Sequence, residues 1–157
     1  MTREEVLQDL RDRFDSDIVE IFDKSPHRVY MEIKPRAIRW VGNHIFRELG
    51  ARFNIASASD KSKHIEILYH FTIEDLNLMI NVRVKLDREN PKIMSLAPDI
   101  EALNWIEREM RELLGIEFIG HPDPRRLLLS DEWPEGVYPL RLDYQEWDES
   151  AVRDRGV

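Results

Sequence analysis

The sequence predicts an α+β fold, with helices packed on a largely antiparallel or mixed sheet and an extended irregular C-terminal arm. Three observations carry this. Ile65, Ile67, Tyr69 and Phe71 alternate with polar residues, and so do Leu76, Leu78, Ile80, Val82, Val84 and Leu86 after a short break. That is the period of strands with one buried face. Two other segments carry apolar stripes at helical spacing: Ile38, Val41, Ile45, Leu49, and Ile100, Leu103, Ile106, Met110, Leu113. After Gly115 periodicity is lost, while aromatic residues continue among prolines and glycines.

Each element has its own local signal. Thr2-Arg3-Glu4-Glu5 reads as a capping box for a first helix carrying Val6, Leu7, Leu10 and Phe14. Ile18 to Phe22 is strand-like, and Val29, Met31 and Ile33 line one face of a second strand. Pro35 suits a helix start and Gly50 its stop. Phe53 and Ile55 begin a strand, expected to end before a polar loop from Ser57 to Ser62. Residues 64–86 read as an antiparallel hairpin turned at Thr72 to Asp75. A third long helix is expected from near Asp99 to Gly115. The element order is α-β-β-α-β-β-β-α. Residues 1–120 are expected to form the α+β domain and 121–157 an interface arm, of which 130–157 is loosely held without a partner.

Composition bounds the function. The 157 residues suit one domain. A net charge of −8 argues against nucleic-acid binding, which needs a basic face. No apolar run approaches the ~20 residues of a membrane-spanning helix, and MTREEVLQDL lacks the apolar core of a signal peptide. A cytoplasmic protein is expected, reaching a membrane only through a partner. There is no cysteine, so a disulfide or a cysteine-ligated cluster or zinc site in this chain is ruled out.

Two segments carry chemistry. In the third helix, Glu107, Arg108 and Glu109 have the residue types of acid/base machinery. Helical spacing pairs Glu107 with Arg111 and Arg108 with Glu112, which reads instead as a solvated ion-pair face without the burial that raises a carboxylate pKa. Next, His121-Pro122-Asp123-Pro124-Arg125-Arg126 is stiffened by its two prolines. A stiff turn with those side chains suits anion binding or proton transfer, and equally a pre-organised protein contact. His64 and His70 share one strand face, a weaker candidate metal pair. In the tail, Trp133, Tyr138, Arg141 and Tyr144 have the composition of interface hot spots.

The ordered set Glu107-Arg108-Glu109, Glu112-Leu113-Leu114, Gly115-Ile116, Phe118, Gly120-His121-Pro122-Asp123 and Arg125-Arg126-Leu127-Leu128 resembles the signature of the thirty-kilodalton subunit of respiratory complex I, the NADH-quinone oxidoreductase. Asp131, Trp133-Pro134, Gly136, Pro139-Leu140-Arg141 and Asp143-Tyr144 are similar to that family's second block, with Leu142 where Lys is usual. The stretch from Glu135 to Arg141 looks more like the branch found in membrane-bound group 4 [NiFe] hydrogenases. The resemblance implies a chain with no cofactor, no metal and no catalytic residue. It would brace a large catalytic subunit (49 kDa-like, or the NiFe hydrogenase large subunit) and a small Fe–S subunit in a peripheral arm. Glu107, Arg108, Glu109, His121, Pro122, Asp123, Arg125, Arg126, Trp133, Tyr138, Arg141, Asp143 and Tyr144 then become partner-interface residues. The rival reading is a stand-alone hydrolase or lyase using His121 with Asp123 or Glu107.

Overall fold

A computed structural model describes residues 1–147; the last ten residues of the expected arm lie outside the described residues. The chain runs α1 (Arg3–Phe14), β1 (Ile18–Ser25), β2 (Arg28–Ile33), α2 (Ile38–Asn43), β3 (Arg52–Asp60), β4 (His64–Ile73), β5 (Leu78–Asp87), β6 (Lys92–Met94), α3 (Leu103–Leu114) and β7 (Glu117–Ile119). This is the α+β fold expected, on a mixed sheet of order β1-β2-β5-β4-β3. Every pairing in it is antiparallel except β2 with β5, which is parallel and aligns Val29 with Ile80 and Met31 with Val82.

The core follows from the alternation. Ile65, Ile67, Tyr69 and Phe71 of β4 face Leu86, Val84, Val82 and Ile80 of β5. All are buried in one cluster with Val6, Leu7 and Leu10 of α1, Ile38 and Val41 of α2 and Leu103, Met110 and Leu114 of α3. The helices therefore cover one sheet face. The opposite face carries paired polar residues, Arg83 with Glu66 at 3.3 Å and Lys85 with Glu32 at 3.2 Å. The capping box at Thr2 forms as expected: the Thr2 hydroxyl accepts from the Glu5 amide at 3.2 Å, and Glu5 accepts from the Thr2 amide at 2.7 Å.

Four local expectations change. β3 continues through Ser57–Asp60, because cross-strand pairing with β4 from Ser57↔Leu68 to Asp60↔Ile65 overrides the weak strand propensity of Ser and Asp. The helix expected from Pro35 to Leu49 is divided into a 3-10 turn, α2 and a wider π turn over His44–Glu48, which seats His44 Nε2 2.6 Å from Asp9 of α1. α3 starts at Leu103 rather than near Asp99. Finally β6 and β7, each three residues long, form a small parallel pair in segments read as irregular.

Candidate functional site

The C-terminal arm is clasped by one face of α3. Arg108 donates from Nε to the carbonyl of Arg125 at 2.9 Å and from a terminal nitrogen to that of Arg126 at 2.6 Å. Arg111 reaches the carbonyls of Pro124 and Arg125. One turn further on, the Glu112 carboxylate accepts the amides of Leu127, Leu128 (2.8 Å) and Leu129 (3.4 Å). The cations thus take the carbonyls of the arm and the anion takes its amides, a grip made mainly on backbone.

The solvated ion-pair face expected for this helix is therefore corrected: Glu107, Arg108 and Glu112 are buried, and Glu109 alone of the Glu-Arg-Glu motif is exposed. Glu107 does not pair with Arg111. Fully inaccessible, its carboxylate accepts from the Ser95 hydroxyl and from the Leu96 amide at 2.8 Å, tying α3 to the loop after β6. Burial pushes its pKa up to about 7 against those donors. A signal for this was present in the sequence. Glu107 sits in the row Leu103-Glu107-Met110-Leu114, inside the apolar stripe rather than opposite it.

His121 lands beside it. Its Nε2 donates to the carbonyl of Asn104 at 2.9 Å and lies 3.9 Å from Glu107, while Nδ1 accepts the Asp123 amide at 2.9 Å. Asp123 is 3.3 Å from Arg108 and 2.9 Å from Arg125, whose guanidinium holds its carboxyl well below the usual range. Pro122 and Pro124 are exposed on either side. The Arg125 side chain is 80% exposed, and Arg126 folds back to the Ser130 carbonyl at 2.6 Å.

The rest of the described arm, to residue 147, makes contacts of its own. Trp133 stacks on Tyr144 and meets Trp147 edge-on, with its indole N–H donating to the Val137 carbonyl at 2.8 Å. Its aromatics thus supply a small cluster of their own. Tyr138 lies on Gly115, where φ is +75° and an added Cβ would overlap the phenol ring. Arg141 turns inward, donating to the Leu114 carbonyl at 2.5 Å and the Arg88 carbonyl at 3.0 Å, which satisfies a free end of α3. The Asp60 side chain, wholly inaccessible, binds Arg88 at 2.8 Å and accepts the Leu142 amide at 3.0 Å; Asp143 lies 3.4 Å from Arg88. The outward-facing side chains include Arg125 and four apolar ones, Leu128, Leu140, Leu142 and Trp147, 44–66% exposed, together with the acidic Asp131, Glu132, Glu135 and Asp143.

This arrangement brings His121, Asp123 and Glu107 together, yet a substrate cannot reach a carboxylate with no accessible surface. His64 and His70 stand ~20 Å apart along β4, beyond any shared metal. Among the described residues no group of three or more His, Cys, Asp or Glu is placed to hold a metal ion, and no helix is long and apolar enough to cross a membrane.

The family model described as "Respiratory-chain NADH dehydrogenase, 30 Kd subunit" matches residues 31–150. Formate hydrogenlyase subunit 5 of Escherichia coli is 28% identical over 145 residues, covering 90% of this chain but only 26% of that protein. Membrane-bound hydrogenase subunit beta of Pyrococcus furiosus is 29% identical over 160 residues, 98% of this chain and 92% of the relative. In structure, the chain resembles one in the membrane-bound sulfane sulfur reductase, an archaeal respiratory membrane complex, with TM-score 0.76 and 18% identity over 95% of this chain and 88% of the other. At that identity the likeness is one of fold.

Proposed function

The chain belongs to the family of the 30 kDa subunit of respiratory-chain NADH dehydrogenase, and from that premise we propose that it is a non-catalytic structural subunit of a complex-I-like membrane-bound oxidoreductase. It braces the large catalytic subunit against the small Fe–S subunit in the peripheral arm, on the cytoplasmic face of the membrane. The hydrogenase-type branch is favoured, because the Pyrococcus membrane-bound hydrogenase subunit is matched along almost its whole length.

The observation that carries this reading is the direction in which the signature residues point. Arg108, Glu112 and Arg141 are consumed inside the chain holding the arm in place, and Glu107 is consumed tying α3 to the loop after β6. What the arm exposes includes Arg125 and the apolar Leu128, Leu140 and Leu142, set on a pre-ordered backbone. Such pre-organisation lowers the entropic cost of docking. Arg126 and Arg141, expected from the sequence to reach a partner, serve the arm's own conformation.

The test is co-purification of the large subunit with the Arg125→Ala and Leu128→Asp variants. Each is expected to weaken capture at least about tenfold, which needs ~1.4 kcal/mol, while the melting temperature of the isolated chain hardly moves. Normal assembly with lost turnover would instead assign these residues to chemistry.

A further inference from the structure

Glu107 is the one carboxylate of the described residues that is wholly buried without a cation bonded to it. Its bonded partners, the Ser95 hydroxyl and the Leu96 amide, are neutral. The groups around it come from three other elements. From β4, the Tyr69 hydroxyl is fully buried with no hydrogen-bond partner, and its pKa is raised by burial and then by Glu107. From the arm comes the His121 ring, with a side chain 6% exposed. From the loop before α3 come Ser95, Leu96 and the Ala97 amide. On its own helix, Arg108 and Arg111 are turned to the arm carbonyls, and Asp123 is held by Arg108 and Arg125.

We propose that Glu107, with His121 against it, is a proton-sensitive latch: a proton on Glu107 keeps the Ser95–Ala97 loop and the His121–Asp123 turn closed on α3, and loss of that proton loosens both. The reason is solvation. A buried anion with only neutral donors is disfavoured, so an opening that wets the carboxylate is favoured when it is charged. The sign follows. In the closed state the pKa is raised, to about 7; in an opened, wetted state it returns toward ~4.3. The closed state therefore binds the extra proton, and closure weakens as pH rises from about 4.5 to 7, then levels off. His121 faces the carboxylate through Nε2 and holds the turn through Nδ1, which accepts the Asp123 amide. If the arm docks a partner as proposed above, docking takes up a proton; the latch itself does not depend on that reading.

The experiment is amide hydrogen exchange of the isolated chain at residues 95–97 and 121–129 between pH 5 and 8, corrected for intrinsic exchange rates. Opening of the wild type is expected to rise at least tenfold across that range, and to be flat in Glu107→Gln. Ser95→Ala, which removes one donor to the carboxylate, is expected to move the transition to higher pH, and it serves if Glu107→Gln does not fold. A carbon-13 titration of the Glu107 carboxyl is expected to show a midpoint near 7. Equal slopes in wild type and Glu107→Gln, opening that grows as pH falls, or a carboxyl titrating near 4 would each overturn the proposal. Because no partner is present, failure here leaves the interface assignment standing, and the converse holds too.

Discussion

Replacing Glu112 by Ala is the sharpest perturbation of the clasp. Its carboxylate accepts three consecutive arm amides while itself only 7% exposed. Hydrogen bonds to a charged acceptor contribute about 1.5–3 kcal/mol each. Here one bond is long at 3.4 Å and the released amides regain water, so about 3 kcal/mol is a fair total for the set. That corresponds to roughly a hundredfold rise in the arm-open population. Trypsin reads that population, because the Arg126–Leu127 peptide is gripped at both ends, the Arg126 carbonyl by Arg108 and the Leu127 amide by Glu112. Cleavage there requires opening, and where opening is fast its rate follows the open fraction. Glu112→Ala is expected to be cut at 126–127 about a hundred times faster than wild type, with Glu112→Gln between them. Cutting after the exposed Lys61 and Lys63 of the β3–β4 turn is expected to stay unchanged. Equal rates at 126–127 in all three proteins would refute the clasp.

Gly115→Ala is expected to displace Tyr138, since the left-handed φ costs an Ala ~1–2 kcal/mol before any clash. A lower melting temperature that Tyr138→Ala partly restores in the double variant, by non-additivity, checks this. Asp60→Asn is expected to flatten the acid limb of stability. The Arg88 guanidinium holds the Asp60 carboxyl well below its ordinary value, so its contribution is present above about pH 4 and is lost as pH falls. Urea denaturation at pH 3 and pH 7 in both proteins measures the difference.

The architecture was legible where one period dominated. β4 and β5 announce themselves because each buries alternate residues over ten positions, and α1 because its cap is written in four residues. β6 and β7 were not, since three residues are too few to show a period and their pairing joins segments about twenty-five positions apart. The site was half legible. The signature residues gather where α3 meets the arm, but reading Glu107, Arg108 and Glu112 by i,i+4 charge pairing assumed that the helix faced water. The arm lies over that face, and an irregular segment has no pattern by which a sequence reveals what it covers. The inward turn of Arg141 was hidden for the same reason, because its acceptors are backbone carbonyls, which every sequence possesses.

The lone parallel seam between β2 and β5 has a kinetic side. On one flank, β3, β4 and β5 are joined by short turns; on the other, β1 and β2 meet across Pro26 and His27. Both units close small loops. The seam joins Arg28 to Met79, roughly fifty residues on, and such a closure costs about 2 kcal/mol more chain entropy than a four-residue hairpin. The meander thus has the means to assemble early. The N-terminal hairpin arrives as a second body, steered by His27, whose carbonyl accepts the Met79 amide at 2.9 Å and whose ring meets the Asn77 carbonyl at 3.1 Å. The barrier to folding is then set at this seam, in which Arg108 and Glu112 take no part, so a change that frees the arm is expected to leave the rate of reaching the native sheet untouched.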